Sequence, residues 1–396
     1  MKNIILLGST GSIGKAVLNV VKKNKANFKI KLLTTNKNIK KIYKQAVNYN
    51  VKKVVILDIN NFKKYSYLFK NKKIKVYFSI DQALKTFTKK VYFTVSGISG
   101  IEGLEPTLKS IKYTEKLGIA NKESIICGWK FIKKELKKNN TKFIPLDSEH
   151  FSIWSLIRSE NKENIKKIYL TASGGPFLNK KFKDIKYIKP KYALMHPNWK
   201  MGKKITIDSA TMMNKIFEVI EAKKIFNINK KKLGIIIHPK SHIHAIIHFK
   251  TGLTKFLAHE TTMEIPILNA LYNNHDNFSF NNRDFNYFNF NGLNFLKPDN
   301  KNFPLLKIMN YEFNDTYFEI ILVIINDTLV NLYLENSINY ISIHKMLIKL
   351  LKKPYFSNYY DKSPKNLNDV ENMIKKVKKY LHEHFKLNEK IYKKNI

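Results

Sequence analysis

Cysteine is nearly missing from this chain: Cys127 is the only one among 396 residues. A single thiol excludes any disulfide within the chain and leaves thiolate zinc sites without their ligands, which fits a reducing compartment. Arginine is almost as scarce. Only Arg158 and Arg283 occur, although Lys and Arg together number 72 against 30 acids, for a formal charge of +42. A strongly basic surface is the footprint of nucleic-acid binding. Groove and phosphate readers favour the planar fork of Arg, however, and lysine alone lacks its bidentate geometry. The enrichment also extends to Asn, Ile, Phe and Tyr, as in the run from Phe285 to Asn291, so drift in composition accounts for it better than selection for a binding surface. Long apolar runs are wanting as well, and none approaches the ~20 residues of a membrane span. The apolar part of Met1 to Gly8 is too short for a signal peptide, and it runs straight into a structural motif that leaves no room for a transit segment. These absences predict a soluble, cytoplasmic protein with no membrane contact and no specific nucleic-acid partner.

What is present is a normal apolar content of 44%, enough for a core in each of two or three domains. Short apolar runs recur at Ile4 to Leu7, Ile30 to Leu33, Val54 to Leu57, Val91 to Val95 and Phe143 to Leu146, with lysine-rich helical segments between several of them. This alternation predicts an α/β fold that opens with a Rossmann-like, doubly wound parallel sheet over residues 1–146. A central region, 147–272, mixes strands (Ile168 to Thr171, Ile235 to Ile237) with one long helix from Asp208 to Phe226. Residues 273–302 are crowded with Asn, Phe and Tyr and read as a linker. Residues 303–396 read as a helical bundle. One of its stripes is Met346, Leu347, Leu350 and Leu351, closed by Pro354, and another runs from Val370 to Leu381.

Gly8-Ser9-Thr10-Gly11-Ser12-Ile13-Gly14 follows the first strand and opens a helix. Glycines at i, i+3 and i+6 permit a tight turn and let a pyrophosphate approach the backbone at the helix N-terminus. The acid that would hold a ribose 2′-OH is missing from the end of the second strand, where Thr34-Thr35-Asn36-Lys37-Asn38 stands instead. A carboxylate there would repel a 2′-phosphate and Lys37 would attract it, which favours NADP(H) over NAD(H).

Asp147-Ser148-Glu149-His150 follows the strand Phe143 to Leu146. Two carboxylates one residue apart at such a strand end suit Mg²⁺ or Mn²⁺, and the same letters equally suit an ordinary helix start. Asn214, Lys215, Glu218 and Glu221 share a helical face, as either a surface ion pair or a phosphate clamp beside a metal ligand. Thr171 to Pro176 offers hydroxyl and backbone N–H groups to an anion after a strand. His196-Pro197-Asn198-Trp199-Lys200-Met201-Gly202 lies in an aperiodic stretch that suits a lid, taken as about 184–203, whose Trp would cover a ligand. His238, His242, His244 and His248 raise a zinc reading, but the surrounding isoleucines read as a strand edge with His242 and His244 on one face.

Together, Gly8 to Gly14, Ala120-Asn121-Lys122-Glu123-Ser124, Pro145 to His150, Ser173 to Phe177, His196 to Gly202, Asp208 to Lys215 and His238-Pro239 resemble the 1-deoxy-D-xylulose 5-phosphate reductoisomerase family, in its order and approximate spacing. The resemblance implies an NADPH enzyme of non-mevalonate isoprenoid synthesis that rearranges the ketose phosphate and reduces it to 2-C-methyl-D-erythritol 4-phosphate. It implies a homodimer with a central catalytic and dimerisation domain and a helical C-terminal domain. Asp147, Glu149 and Glu218 match the metal ligands. Ser173, Ser209, Asn214 and Lys215 match the substrate-phosphate residues, with His196 close by, and Lys122 and Ser148 match contacts to substrate hydroxyls. Thr10, Gly11, Ser12, Ile13, Lys37, Asn38, Asn121, Glu123 and Gly202 match the NADPH site, and Trp199 the lid Trp. There are departures. Asn36 stands in the cofactor site where the family usually has Gly, Thr261-Thr262-Met263-Glu264 replaces a Pro-Asp-Met-Arg string with a charge reversal at Glu264, and Asn326-Asp327 replaces Asn-Glu. A dehydrogenase that reduces without isomerising is the rival within the same chemistry.

Overall fold

The computed structural model describes residues 1–199, 201–272 and 287–392. The chain divides into two compact units, each built from three segments. Unit 1 comprises 1–125, 130–168 and 242–293, and unit 2 comprises 126–129, 169–241 and 294–396.

Unit 1 begins with β1 (Lys2–Leu7), α1 (Ser12–Lys23), β2 (Phe28–Thr35), α2 (Ile39–Asn48), β3 (Lys53–Ile56), α3 (Ile59–Tyr65), β4 (Lys75–Tyr77) and α4 (Ile80–Leu84). It continues with β5 (Val91–Ser96), α5 (Leu104–Ser110), β6 (Thr114–Ile119), α6 (Lys122–Lys138), β7 (Lys142–Pro145) and α7 (Ser148–Ile157). The seven strands form one parallel sheet in the order β4-β3-β2-β1-β5-β6-β7. It is the doubly wound sheet expected from the alternating runs. Helices cover both faces, so β1 reads as a continuous apolar run whose last four residues are fully buried. Strand order reverses between β1 and β5, and open α/β sheets bind ligands at the carboxyl ends beside such a reversal. Two strands escaped the sequence reading. β4 is a three-residue edge, and β6 carries Glu115 and Lys116 in its exposed half. Gly118 of β6 is required by packing, since a Cβ there would lie 2.6 Å from the Phe93 ring.

Strand β8 (Ile165–Ala172) passes from unit 1 into unit 2 and belongs to a four-stranded sheet of order β11-β10-β8-β9. Unit 2 adds α8 (Pro190–Ala193), α9 (Lys203–Ala210), α10 (Met213–Phe226) and β9 (Leu233–Ile237), and unit 1 is completed by β10 (Ile243–Phe249), β11 (Thr254–Ala258) and α11 (Glu264–Leu271). The helix read from Asp208 to Phe226 is in fact two. α9 stops at Ala210, and Met212 takes a left-handed conformation at φ 64° before α10 begins. Methionine pays roughly 1–2 kcal/mol for that backbone, and Met212 is held there by complete burial. His242 likewise precedes β10, so only His244 and His248 lie on the strand. His244 stacks on His259 with ring centroids 3.7 Å apart.

The remainder of unit 2 is helical: α12 (Tyr317–Leu334), α13 (Tyr340–Leu351), α14 (Pro354–Ser357) and α15 (Leu367–Tyr392). Pro354 opens α14 as its first residue rather than closing α13, in keeping with a ring that needs no N–H partner at a helix start. At 18 residues, α12 is long and apolar enough to pass for a membrane span, which corrects the expectation that no run approaches that length. Two thirds of it, 67%, is buried, including Glu319 and Asn326, which marks a core helix. Of the expected linker, residues 273–286 lie outside the described residues, while 287–290 form a short helical turn and Leu296 bridges Ile237.

Candidate active site

Unit 1 carries a nucleotide cradle at the β1–α1 turn. Gly8 has φ +80°, and a Cβ on Gly14 would fall 2.4 Å from the Ser9 carbonyl oxygen, so both positions require glycine. Gly11 is the N-cap of α1 and supplies no capping side chain, which leaves the amides of the first turn, over Ser12 and Ile13, directed at the cradle. The loop is tied to the end of β2 by Gly8 N–H donating to Thr34 Oγ1 at 2.8 Å and by a 3.0 Å contact between the Thr10 and Thr35 hydroxyls. Asn36 and Lys37 follow, and Asn38 caps α2 by accepting from the Lys41 N–H. Asn36 is not among the residues with positive φ, so its departure from Gly imposes no left-handed strain. Asn121, expected at the cofactor, caps α6 through its Oδ1 and donates its amide to the carbonyls of Ile98 and Gly100. It fixes the loop after β5. Glu123 is buried in the first turn of α6.

At the end of β7, Asp147 occupies the N-cap of α7, yet its carboxylate makes no capping bond. Instead it meets Lys122 Nζ at 2.7 Å and His150 Nδ1 at 3.1 Å. Asp147 thus stands at a helix start, as one reading of the motif has it, but spends its carboxylate on two basic side chains rather than on the helix amides. Burial works to raise the Asp147 pKa, but Lys122 and His150 outweigh it and hold the carboxyl well below the usual range. Ser148 Oγ donates to Glu149 at 2.5 Å. His150, quoted in the motif but given no role by sequence, is the orienting partner of Asp147. Its signal was the i, i+3 spacing at a helix start.

Unit 2 carries a second cluster, centred on His196. Its Nδ1 accepts the backbone N–H groups of Asn198 (3.2 Å) and Trp199 (3.0 Å). A neutral imidazole that accepts at Nδ1 carries its proton on Nε2, and Nε2 lies 3.0 Å from Ser173 Oγ and 3.2 Å from Ser209 Oγ. Burial first, and Lys215 second, lower the His196 pKa to about 4, so the ring is neutral near pH 7. Ser173 Oγ also accepts the Gly175 N–H at 3.0 Å. With two donors aimed at it, the Ser173 hydroxyl has its own proton left to give. The break at Met212 sets Asn214 and Lys215 in the first turn of α10, where Asn214 donates to Glu218 at 2.6 Å and Lys215 pairs with it at 2.5 Å. Lys215 and Glu218 are both buried, which removes the surface-pair reading. Gly202 caps α9, with open space where a Cβ would stand. Trp199 is half-buried beside His196, Lys200 lies outside the described residues, and Tyr187, Tyr192 and Met195 of the same stretch are exposed. Asp208, just before Ser209, accepts from Asn326 of α12 at 2.8 Å, while Lys204 pairs with Asp327 at 2.7 Å. The Asn-Asp departure therefore still anchors α9.

The histidines behind the zinc reading have structural duties. His238 sits with Nδ1 3.1 Å from the Asn294 carbonyl and stacks on Phe295, and His244 Nε2 is 3.2 Å from the His259 carbonyl.

Three family models cover most of the chain. Residues 4–128 match 1-deoxy-D-xylulose 5-phosphate reductoisomerase, 143–226 match the 1-deoxy-D-xylulose 5-phosphate reductoisomerase C-terminal domain, and 259–380 match the DXP reductoisomerase C-terminal domain. The 1-deoxy-D-xylulose 5-phosphate reductoisomerase of Pelagibacter ubique is 51% identical over 376 residues, which is 94% of this chain and 97% of that one. A solved structure of the Zymomonas mobilis enzyme in complex with NADPH aligns with TM-score 0.84 and 27% identity, over 95% of this chain and 97% of its own. Another, DOX-P reductoisomerase in complex with NADPH, fosmidomycin and magnesium, aligns with TM-score 0.89 and 27% identity, over 98% and 99%. With half of its residues identical to that relative over nearly its whole length, and family models matching in all three stretches, the chain belongs to the 1-deoxy-D-xylulose 5-phosphate reductoisomerase family.

Proposed function

We propose that this protein converts 1-deoxy-D-xylulose 5-phosphate to 2-C-methyl-D-erythritol 4-phosphate, with NADPH and a divalent metal, as a step of isoprenoid synthesis. The observation that carries the reading is the His196 cluster. Two serine hydroxyls held by one neutral imidazole, with the charge of buried Lys215 acting on that ring, make a site for a phosphate monoester. Ser173, Ser209, Asn214 and Lys215 take the phosphate, and binding energy spent there positions carbons that react elsewhere. Lys122 and Ser148 contact the substrate hydroxyls.

Asp147, Glu149 and Glu218 would hold the metal. Their chemistry fits: all are oxygen donors, Asp147 is kept ionised, and Asp147 and Glu218 each already face an ammonium group. Mg²⁺ or Mn²⁺ bound there supplies Lewis acidity to a carbonyl and a neighbouring hydroxyl. NADPH supplies the hydride, and Thr10 to Ile13, Asn36 to Asn38, Asn121, Glu123 and Gly202 are the residues that hold it. Trp199 excludes water when the stretch 184–203 closes. We further read the protein as cytoplasmic, with its one buried cysteine suited to a reducing compartment, and as a homodimer.

The test is NADPH oxidation with 1-deoxy-D-xylulose 5-phosphate, with and without Mg²⁺ or Mn²⁺, and identification of the product. Metal-dependent oxidation to the branched alcohol is expected. Oxidation to an unbranched product would mean reduction without rearrangement, and no oxidation by folded protein would refute the proposal.

A further inference from the structure

The β2–α2 corner holds a lysine arrangement that the cofactor-site residues carried over from the family do not include. Helix α2 has three lysines. Lys40 and Lys44 line an open groove on one side with Lys37, Asn38, Tyr43 and Tyr65. Lys41 turns the other way, and its Nζ donates to the Thr10 carbonyl in the glycine cradle at 2.6 Å. Lys15, in the first turn of α1, brings a second positive charge to bear on the same ammonium. Burial and this second cation both lower the Lys41 pKa from its ordinary value, and no carboxylate acts on it. Two ammonium groups side by side repel unless an anion lies between them. Composition drift explains many solvated lysines, but it does not turn one inward onto a backbone carbonyl of the cradle.

The position narrows the anion. The α1 amides face the place of a pyrophosphate. Lys41 instead bridges the cradle and the end of β2, the two segments that the Thr10–Thr35 hydroxyl contact ties together. A ribose 2′ substituent lies beside the end of β2, where an acid would stand in an NAD site. We propose that Lys41, supported by Lys15, binds the 2′-phosphate of the cofactor and sets the preference for NADPH over NADH. This rests on the NADPH reading above. Lys41 leaves the chemical step untouched, and its contribution is to cofactor affinity.

The experiment measures dissociation constants by titration calorimetry for NADPH, NADH, 2′,5′-ADP and 5′-AMP. It compares the wild type with Lys41→Gln, Lys41→Arg, Lys15→Gln and a distant control, Lys22→Gln. Lys41→Gln is expected to weaken NADPH and 2′,5′-ADP about tenfold, the loss of one charge-assisted contact. NADH and 5′-AMP should stay within twofold, Lys41→Arg should retain most of the preference, and Lys15→Gln should show a smaller loss of the same kind. Equal weakening of NADPH and NADH would assign Lys41 to the pyrophosphate or to loop structure and overturn the proposal. So would an unchanged ratio, or a loss as large in Lys22→Gln. A wild type that binds none of the four ligands would instead remove the NADPH reading itself.

Discussion

The imidazole of His196 is useful because of the bonds it accepts. Two backbone N–H groups fix its tautomer, and the proton left on Nε2 points at the oxygens of Ser173 and Ser209. Each serine then has its hydroxyl proton to offer an anion. Protonation of the ring would disturb this arrangement by making Nδ1 a donor against two N–H groups, and its pKa of about 4 keeps that form away at neutral pH. Ser173→Ala should therefore raise the KM for the sugar phosphate by about tenfold, and His196→Ala by more, since a hydrogen bond to a charged group is worth about 1.5–3 kcal/mol. NADPH affinity should stay within twofold in both variants. Steady-state kinetics beside cofactor titration checks this, and an unchanged KM would exclude the phosphate role. The reversed charge at Glu264 also resolves at this scale, because its carboxylate pairs with Lys23 at 2.9 Å and accepts from Asn19 at 3.0 Å.

Among the helices, α10 and α12 of unit 2 are joined by a buried charge network. Lys224 is 3% exposed and reaches Asp315 at 2.7 Å and Glu319 at 3.3 Å, while Glu319 also closes the capping box of α12 with Thr316. Burial lowers the Lys224 pKa, but the two acids outweigh it and the net direction is upward. Glu319→Ala leaves Lys224 with Asp315 alone and opens the capping box, so it should destabilise unit 2 by about 1.5–3 kcal/mol. Urea titration followed by helix signal measures that loss, and a change below 1 kcal/mol would mean water reaches Lys224. The sequence revealed elements to the extent that their pattern was local. β1, β2, β3, β5 and β7 each carry a short, mostly apolar and buried stretch, which is what made them readable. β4 and β6 were illegible because a short edge and a half-exposed strand carry lysines that periodicity assigns to a surface. The break at Met212 was illegible for another reason. No Gly or Pro marks it, and tertiary burial alone holds a methionine in a left-handed turn. The site strings were readable as motifs, but the tautomer of His196 and the pairing of Asp147 with His150 depend on folded geometry.

Taken as a whole, the molecule should respond to acid in two windows. His344 is buried, its pKa lowered to about 4 by burial against the opposing pull of the Tyr340 carbonyl, and His196 behaves alike. An unfolded histidine takes up its proton near 6.5, so between 6.5 and 4 the unfolded chain binds more protons than the folded one. Stability is complete above pH 6.5 and falls as pH drops, by about 2 kcal/mol for His344 at pH 5. Asp147 acts lower down: its depressed pKa adds stability that is present above 3.8 and lost as pH falls further. Denaturant titration at pH 7, 6 and 5 checks the upper window, and a flat profile across it would show that water solvates these histidines. One consequence of the segmented units concerns the order in which the chain is made. Unit 1 recruits residues 242–293, and unit 2 includes 126–129 and closes only with 294–396. A ribosome adds roughly 5–20 residues per second, so the nascent sheet β1 to β7 waits many seconds for β10, β11 and α11 to emerge. During that interval its apolar surface for α11 faces solvent, and co-translational chaperones would find their substrate there.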